Sequence, residues 1–428
     1  VGSEVYDSNG RISQVIKVRH STRNTVKLKG NRGFEVVATP DHPFIVSGKE
    51  MEAKDCLGRV LDSGSLSPSN KTPPIDMSEY ITPKNPTIRG SVGGSFGEDW
   101  VRMGSNSSRG NRYVELDNRL AWLYGIFLAE GSTRGVSLGG HEEEYVNKWS
   151  RLYEDITGYS SSIRQPSSSS LVIEVHNPRY MRSLFQDEMK IGVGSHNLAM
   201  DYLFSASTEF IREALIGYMN GDGCFRSKKN KRGYKTYTDF TISFKTVSSN
   251  IAYSLPFLLK SVFNVDASMY YGVSPSRTID DGRVIPSTPY YMVDIYGKTN
   301  ISRLINDSNR LLQEGKDLEE YAQIGTSIYS KSKVGNNKNA GVKIVSIEPS
   351  GEREVVDITL DEGSSHMFQL SHAVLSHNCG GGETTYHPQF AEICKKFAQA
   401  GVVPNFTTKY PARVRMHWDN IKDYIGGF

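Results

Sequence analysis

Long hydrophobic runs are missing from this chain. No apolar stretch approaches the ~20 residues of a membrane-spanning helix, and no signal-peptide pattern opens it. The expectation is a soluble, cytoplasmic protein with no membrane partner. Cysteine is scarce too: the four present, Cys56, Cys224, Cys379 and Cys394, have neither paired nor CxxC spacing. That argues against a disulfide framework or a cysteine-bound zinc module and points to a reducing compartment, where a thiol stays free. Nor does one sign of charge dominate. With 50 Lys and Arg against 47 Asp and Glu, the net charge is only +3, so nucleic-acid binding would need a local basic surface. What remains is ordinary globular material, 37% hydrophobic and 23% charged, in 428 residues, room for two or three domains.

The pattern changes along the chain. Residues 1–60 alternate short apolar runs with turns: Glu4-Val5-Tyr6, the turn Asp7-Ser8-Asn9-Gly10, then Ile12 to Val18 and Thr25 to Leu28. Phe34 to Val46 reads as two strands around a Pro-bounded turn. Residues 61–112, rich in Ser, Gly and Pro, read as linker or extended loops. Long helices with interleaved strands follow over 113–325, then a linker at 326–340. Over 341–378 the alternation returns, in Glu354 to Leu360, a turn at Asp361-Glu362-Gly363, and short strands at His366 to Leu370 and Ala373 to Leu375. Each β segment is too small to fold alone, so the order implies one β-rich fold split by an α/β insertion.

The second β segment ends in His377-Asn378-Cys379. An Asn side-chain amide can attack its own backbone carbonyl, close a five-membered succinimide and cut the chain behind itself. The leaving amide nitrogen must gain a proton, which suits His377, and Cys379 supplies a thiol able to accept an acyl group. The flanking motifs resemble the terminal motifs of an intein. Thr39 and His42 match its Thr-x-x-His, Asp357 and His366 its penultimate motif, and His377-Asn378 its last two residues, with Cys379 the first residue of the host. The resemblance implies an all-β Hint-type splicing domain, residues 1–60 plus 341–378. In it Thr39 and His42 handle the upstream amide, and His366 and Asp357 assist Asn378. Val1-Gly2-Ser3-Glu4-Val5 resembles an intein start with its Cys or Ser removed from in front, so the expectation is Asn378 cyclisation without complete splicing.

Within the insertion, Leu123 to Gly131 and Leu215 to Gly223 align without gaps. Each is an apolar helix with small residues four apart, Gly125 and Ala129 or Gly217 and Gly221, which lie on one face and let two backbones approach. Each ends in a carboxylate and a glycine, so packing the helices side by side brings Glu130 next to Asp222. A divalent cation offsets the repulsion of two close carboxylates and suits phosphodiester hydrolysis. The pair resembles the LAGLIDADG homing endonucleases, and two copies match their monomeric, pseudo-twofold form. The resemblance implies an α/β endonuclease over 113–325 that cuts double-stranded DNA with Mg2+ held by Glu130 and Asp222, and makes Lys245 the candidate for polarising water or phosphate. Arg226, Lys228, Lys229, Lys231, Arg232 and Lys235 form a basic run where a DNA-facing β-ribbon would begin. Glu130 departs from the commoner Asp, and the strand after Gly131, Val136 to Gly139, has no lysine. A DNA-binding intein whose endonuclease has decayed is therefore the alternative.

Residues 379–428 change character again. Gly380 to Thr385 leads into an amphipathic helix at Phe390 to Phe397 and a strand signal at Gly401 to Thr408. The Gly-Gly-Glu stretch resembles that of radical S-adenosylmethionine enzymes, although their CxxxCxxC is absent. The expectation is a short fragment of the host protein, the intein's partner in cis.

Overall fold

The computed structural model describes residues 2–66, 73–81, 93–104, 107–133, 137–140, 143–167, 170–232, 235–278, 284–297, 300–301, 303–304, 341–361, 364, 366–377, 395–396 and 399. Asn378, Cys379 and the host-fragment motifs lie outside them.

The two β-rich segments form one sheet. Strand Ile12–Gly30 runs antiparallel to Val342–Leu360, from Val15 opposite Leu360 to Gly30 opposite Ile344. Glu4–Tyr6 and Glu35–Ala38 add to the same strand. A smaller sheet has the order Met367–Gln369, Leu375–His377, Pro43–Val46, Lys49–Glu52, again mixing both ends of the chain. Leu28, Phe34, Phe44, Leu61, Val342, Ile344 and Val374 fill the core between them. Strands were expected at His366 to Leu370 and Ala373 to Leu375. The structure instead has Met367–Gln369 and Leu375–His377 with a tight turn at Ser371–Ala373. His372 and Ala373 there have φ of 59° and 55°. The turn directs the His372 ring inward, where it meets the Arg32 carbonyl at 3.2 Å.

The insertion repeats one pattern twice, helix, two strands, helix, two strands. The first repeat comprises helix Asn118–Glu130, strands Gly131–Ser132 and Ser137–Gly140, helix Glu143–Thr157, and strands Ser161–Ser167 and Ser170–Val175. The second comprises helix Thr208–Asp222, strands Cys224–Arg232 and Lys235–Thr246, helix Ser249–Phe263, and strands Ala267–Ser274 and Thr288–Tyr296. Both sheets share one order: first, second, fourth, third strand of the repeat. Helix starts are set locally, with Asp117, Ser207 and Ser248 accepting first-turn backbone N–H groups.

The stretch 61–112, expected to be linker or extended loops, carries short strands in its described parts. Ile75–Asp76 pairs with Tyr113–Val114, and Trp100–Arg102 centres a three-stranded sheet. Its Ile75, Met77, Val101 and Met103 are buried in the insertion's core. Strands of two or three residues leave no periodicity to read against a Ser/Gly/Pro background, which is why composition suggested a loop.

Candidate functional site

The first helices of the two repeats touch backbone to backbone. A Cβ added at Gly125 would lie 1.9 Å from the Ala214 carbonyl oxygen, and one at Gly217 would lie 2.3 Å from that of Trp122. At Gly221 it would lie 2.4 Å from Ala129 Cβ and 3.1 Å from Glu130 Cγ. The small residues at four-residue spacing thus do what their pattern implied, and their far end brings Glu130 against the turn that carries Asp222. Gly131 and Gly223 follow at φ of −78° and −71°, so these glycines answer a need for space rather than for left-handed backbone. A Cβ there would meet the Phe127 and Met219 carbonyl oxygens.

Asp222 is half-buried and its carboxyl is pushed up to about 7. Burial is the main cause; the Tyr218 phenol opposes it, and the negative charge of Glu130 adds to it. Tyr218 is fully buried and is itself pushed up, by burial and then by Asp222. Sequence reading missed this residue, which sits one turn before Asp222 on the same helix; the i, i+4 spacing was the available signal. Behind the pair, Trp122 Nε1 donates to Asn220 Oδ1 at 3.2 Å, and Asn220 Nδ2 donates to the Tyr145 hydroxyl at 3.1 Å, tying the helices together.

The Asp222 carboxyl, raised by burial and by the charge of Glu130, and the exposed Glu130 carboxylate form a hard-oxygen donor set that fits a Mg2+ ion, which binds through one or two carboxylates and keeps waters or substrate phosphate as its other ligands. Among the described residues, no set of three or more His, Cys, Asp and Glu stands ready to enclose a metal. The fit is to an open site of this kind.

Lys245 is exposed on strand Lys235–Thr246. Its Nζ donates to Ser274 Oγ at 3.0 Å and lies 4.3 Å from the centre of the Tyr290 ring. The structure thus joins it to Ser274 and Tyr290 rather than to the carboxylate pair. Arg226 opens the ribbon two residues beyond Cys224, to whose sulfur its Nε donates at 3.3 Å. Lys228, Lys229, Lys231 and Arg232 continue on strand Cys224–Arg232, with Arg232 opposite Lys235 at the tip.

A second cluster forms where the two β-rich segments meet. The turn after Glu35–Ala38 is closed by the His42 N–H donating to the Thr39 carbonyl at 3.0 Å. The His42 ring packs edge-on against Phe44, and its Nε2 is 2.7 Å from the fully buried Ser376 hydroxyl. Burial lowers His42 to about 4; Asp41 opposes this and His377 adds to it. His377 Nε2 lies 3.5 Å from Glu50 Oε1. Ser376 and Glu50 were not singled out from the sequence, since a lone Ser and Glu hundreds of residues from their partners carry no local signal. His366 has φ of 55°, its N–H donating to Ser364 Oγ at 3.3 Å. Asp357 pairs across the ladder with Arg19; burial raises its carboxyl and Arg19 lowers it.

A twofold-repeated unit with carboxylates at two backbone-packed helix ends, set inside a β frame that joins the two β-rich segments, defines the architecture. Residues 209–307, which span the second repeat, match the family model of the LAGLIDADG-like domain. The chain is 28% identical over 223 residues to the DNA-directed RNA polymerase subunit Rpo1C of Methanocaldococcus jannaschii, covering 50% of this chain and 25% of that protein. It is 23% identical over 343 residues to the uncharacterized protein MJ1054 of the same organism, covering 73% of this chain and 34% of that protein. It therefore spans about a quarter to a third of these relatives' lengths. Similar solved structures include the I-LtrWI LAGLIDADG homing endonuclease bound to target DNA, at TM-score 0.33 and 10% identity, covering 51% of this chain and 92% of that one. Another is the LAGLIDADG homing endonuclease I-GzeII in complex with its DNA target, at TM-score 0.32 and 12% identity, covering 53% and 94%.

Proposed function

We propose that this chain is a Hint-type intein with an inserted homing endonuclease of two LAGLIDADG-like repeats. The observation that carries the splicing half is the meeting of His42 with the Ser376-His377 strand, 2.7 Å apart at the hydroxyl and contributed by the two separate β-rich segments. In this reading the Asn378 side-chain nitrogen attacks the Asn378 backbone carbonyl and gives up a proton, the bond to Cys379 breaks, and the leaving nitrogen takes a proton from His377, which the proton released by Asn378 restores; Glu50 lies 3.5 Å from His377 Nε2. His42, neutral at pH 7, contributes a hydrogen-bonding imidazole rather than a charge. Incubating the purified chain with a thiol at neutral pH and measuring intact mass tests this. A fragment beginning at Cys379, lost in Asn378→Ala, is expected; a mass that stays at full length sinks the reading.

In the nuclease half, Glu130 and Asp222 hold the cation, and the close helix pair keeps them together without help from loops. When bound, the cation lowers the pKa of water and stabilises the leaving oxygen of a phosphodiester. The chain supplies both carboxylates, so it acts as a monomer, and the duplex lies against the strands that follow the two helices. The second reading, DNA binding with decayed cleavage, is favoured by the attachment of Lys245 to Ser274 and Tyr290. Mg2+-dependent scission of a bound duplex decides: cutting that disappears in Asp222→Asn supports the active enzyme, and binding without cutting supports decay.

A further inference from the structure

The two repeats share one topology but not one reach. In the first, the strands after Glu130 have 2 and 4 residues, and residues 131–142 are all that separate it from the next helix. In the second, the strands after Asp222 have 9 and 12 residues, within residues 223–248. At ~3.3 Å per residue the longer strand runs about 40 Å, and the first repeat's about 13 Å. One turn of B-DNA is ~34 Å, so the second ribbon matches a full turn of groove and the first a fraction of one.

Charge follows length. The second ribbon carries Arg226, Lys228, Lys229, Lys231, Arg232, Lys235 and Lys245 against one acid, Asp239. Residues 131–140 carry a single cation, Arg134. On the first repeat's outer strands, Arg164 is neutralised by Glu174 at 2.8 Å. The second repeat's sheet also exposes Tyr270 and Tyr296.

We propose that this protein grips its double-stranded DNA one-sidedly. The second-repeat ribbon follows the groove for about one turn on one side of the carboxylate pair and supplies nearly all the electrostatic attraction. The first repeat contributes Glu130 and a short grip close to the point of cleavage. This rests on the endonuclease reading and adds a polarity to it: the site contacts DNA as a lopsided element, not as two equal halves.

The test is selection of duplexes from a randomised library on the full chain in Ca2+, then hydroxyl-radical footprinting of a selected duplex. One long protected arm with base preferences on the same side is expected. Two arms of equal length with preferences on both sides overturn the one-sided grip. No enrichment of any duplex overturns the endonuclease reading itself. Binding titrated against salt gives the second measurement. Each phosphate contact contributes about 0.9 to the slope of log affinity on log salt, so Lys228→Ala with Lys229→Ala and Lys231→Ala should lower the slope by about 2–3. Arg164→Ala should leave it unchanged; an equal fall in that variant overturns the proposal. The footprint uses the unaltered chain, so misfolding of a variant does not block the decision.

Discussion

The hydroxyl of Ser376 lies 2.7 Å from Nε2 of His42, joining residues 334 positions apart through a part-buried bond whose Ser376 side is fully enclosed. A buried polar atom stripped of its partner keeps its full desolvation cost, about 1–3 kcal/mol. Ser376→Ala should therefore destabilise the fold by about that amount in urea denaturation. His42→Phe with Ser376→Ala should cost less than the sum of the single changes, because the pair is removed together.

His42 and His372 are both lowered to about 4 from 6.5, chiefly by burial. Between those values the unfolded chain binds protons that the folded chain refuses, so stability falls as pH drops from 6.5 towards 4. Denaturation midpoints should decline over that window. The decline should flatten in His372→Gln, and a profile unaltered by that substitution would show that this ring titrates normally.

Asp222 gives the opposite slope. Raised to about 7 from 3.8, it binds a proton in the folded chain that the unfolded chain releases, so its contribution weakens as pH rises from 3.8 through 7. Asp222→Asn should raise stability at pH 8 by about 1–4 kcal/mol while removing any Mg2+-dependent cleavage. Added Mg2+ should raise the melting temperature of the native chain at that pH and leave the variant's unchanged.

Gly125→Ala should break the helix pair, since the new methyl meets the Ala214 carbonyl oxygen at 1.9 Å. Overpacking of this kind costs about 1–3 kcal/mol, more than the roughly 1 kcal/mol that Ala returns in helix propensity. Gly139→Ala, which faces open space, is the control and should change the melting temperature little.

Arg32 and Asp266 lie 3.5 Å apart, with Lys260 at 2.9 Å from the same carboxylate; all three side chains are at most 13% exposed. Asp266→Asn leaves two poorly solvated cations facing each other, and a loss of about 3–5 kcal/mol is expected. Restoring neutrality with Asp266→Asn and Arg32→Met should recover part of it.

The repeated helix, its glycine spacing and the meeting of Glu130 with Asp222 were all legible in the sequence, because a 3.6-residue period and a backbone contact are local properties that each helix carries by itself. The return to β patterning at residue 341 was legible for the same reason. Long-range partners were not. Nothing near Lys245 in sequence points to Ser274 or Tyr290, and Tyr218 looks like any apolar helix residue until Asp222 is seen to share its burial. The Ser371–Ala373 turn escaped because its backbone places His372 and Ala373, two residues with no preference for it, at positive φ.

Gly33 lies so close to the Met269 backbone that an added Cβ would meet the carbonyl oxygen at 1.8 Å, next to the Arg32–Asp266 pair. The inserted unit is therefore not luggage that can be set down. A shortened chain lacking it would leave Arg32 without its counter-ion and would uncover the wall against which Gly33 and His372 pack. Anyone trimming this protein to its β frame should have to rebuild that wall, beginning with a polar replacement for Arg32.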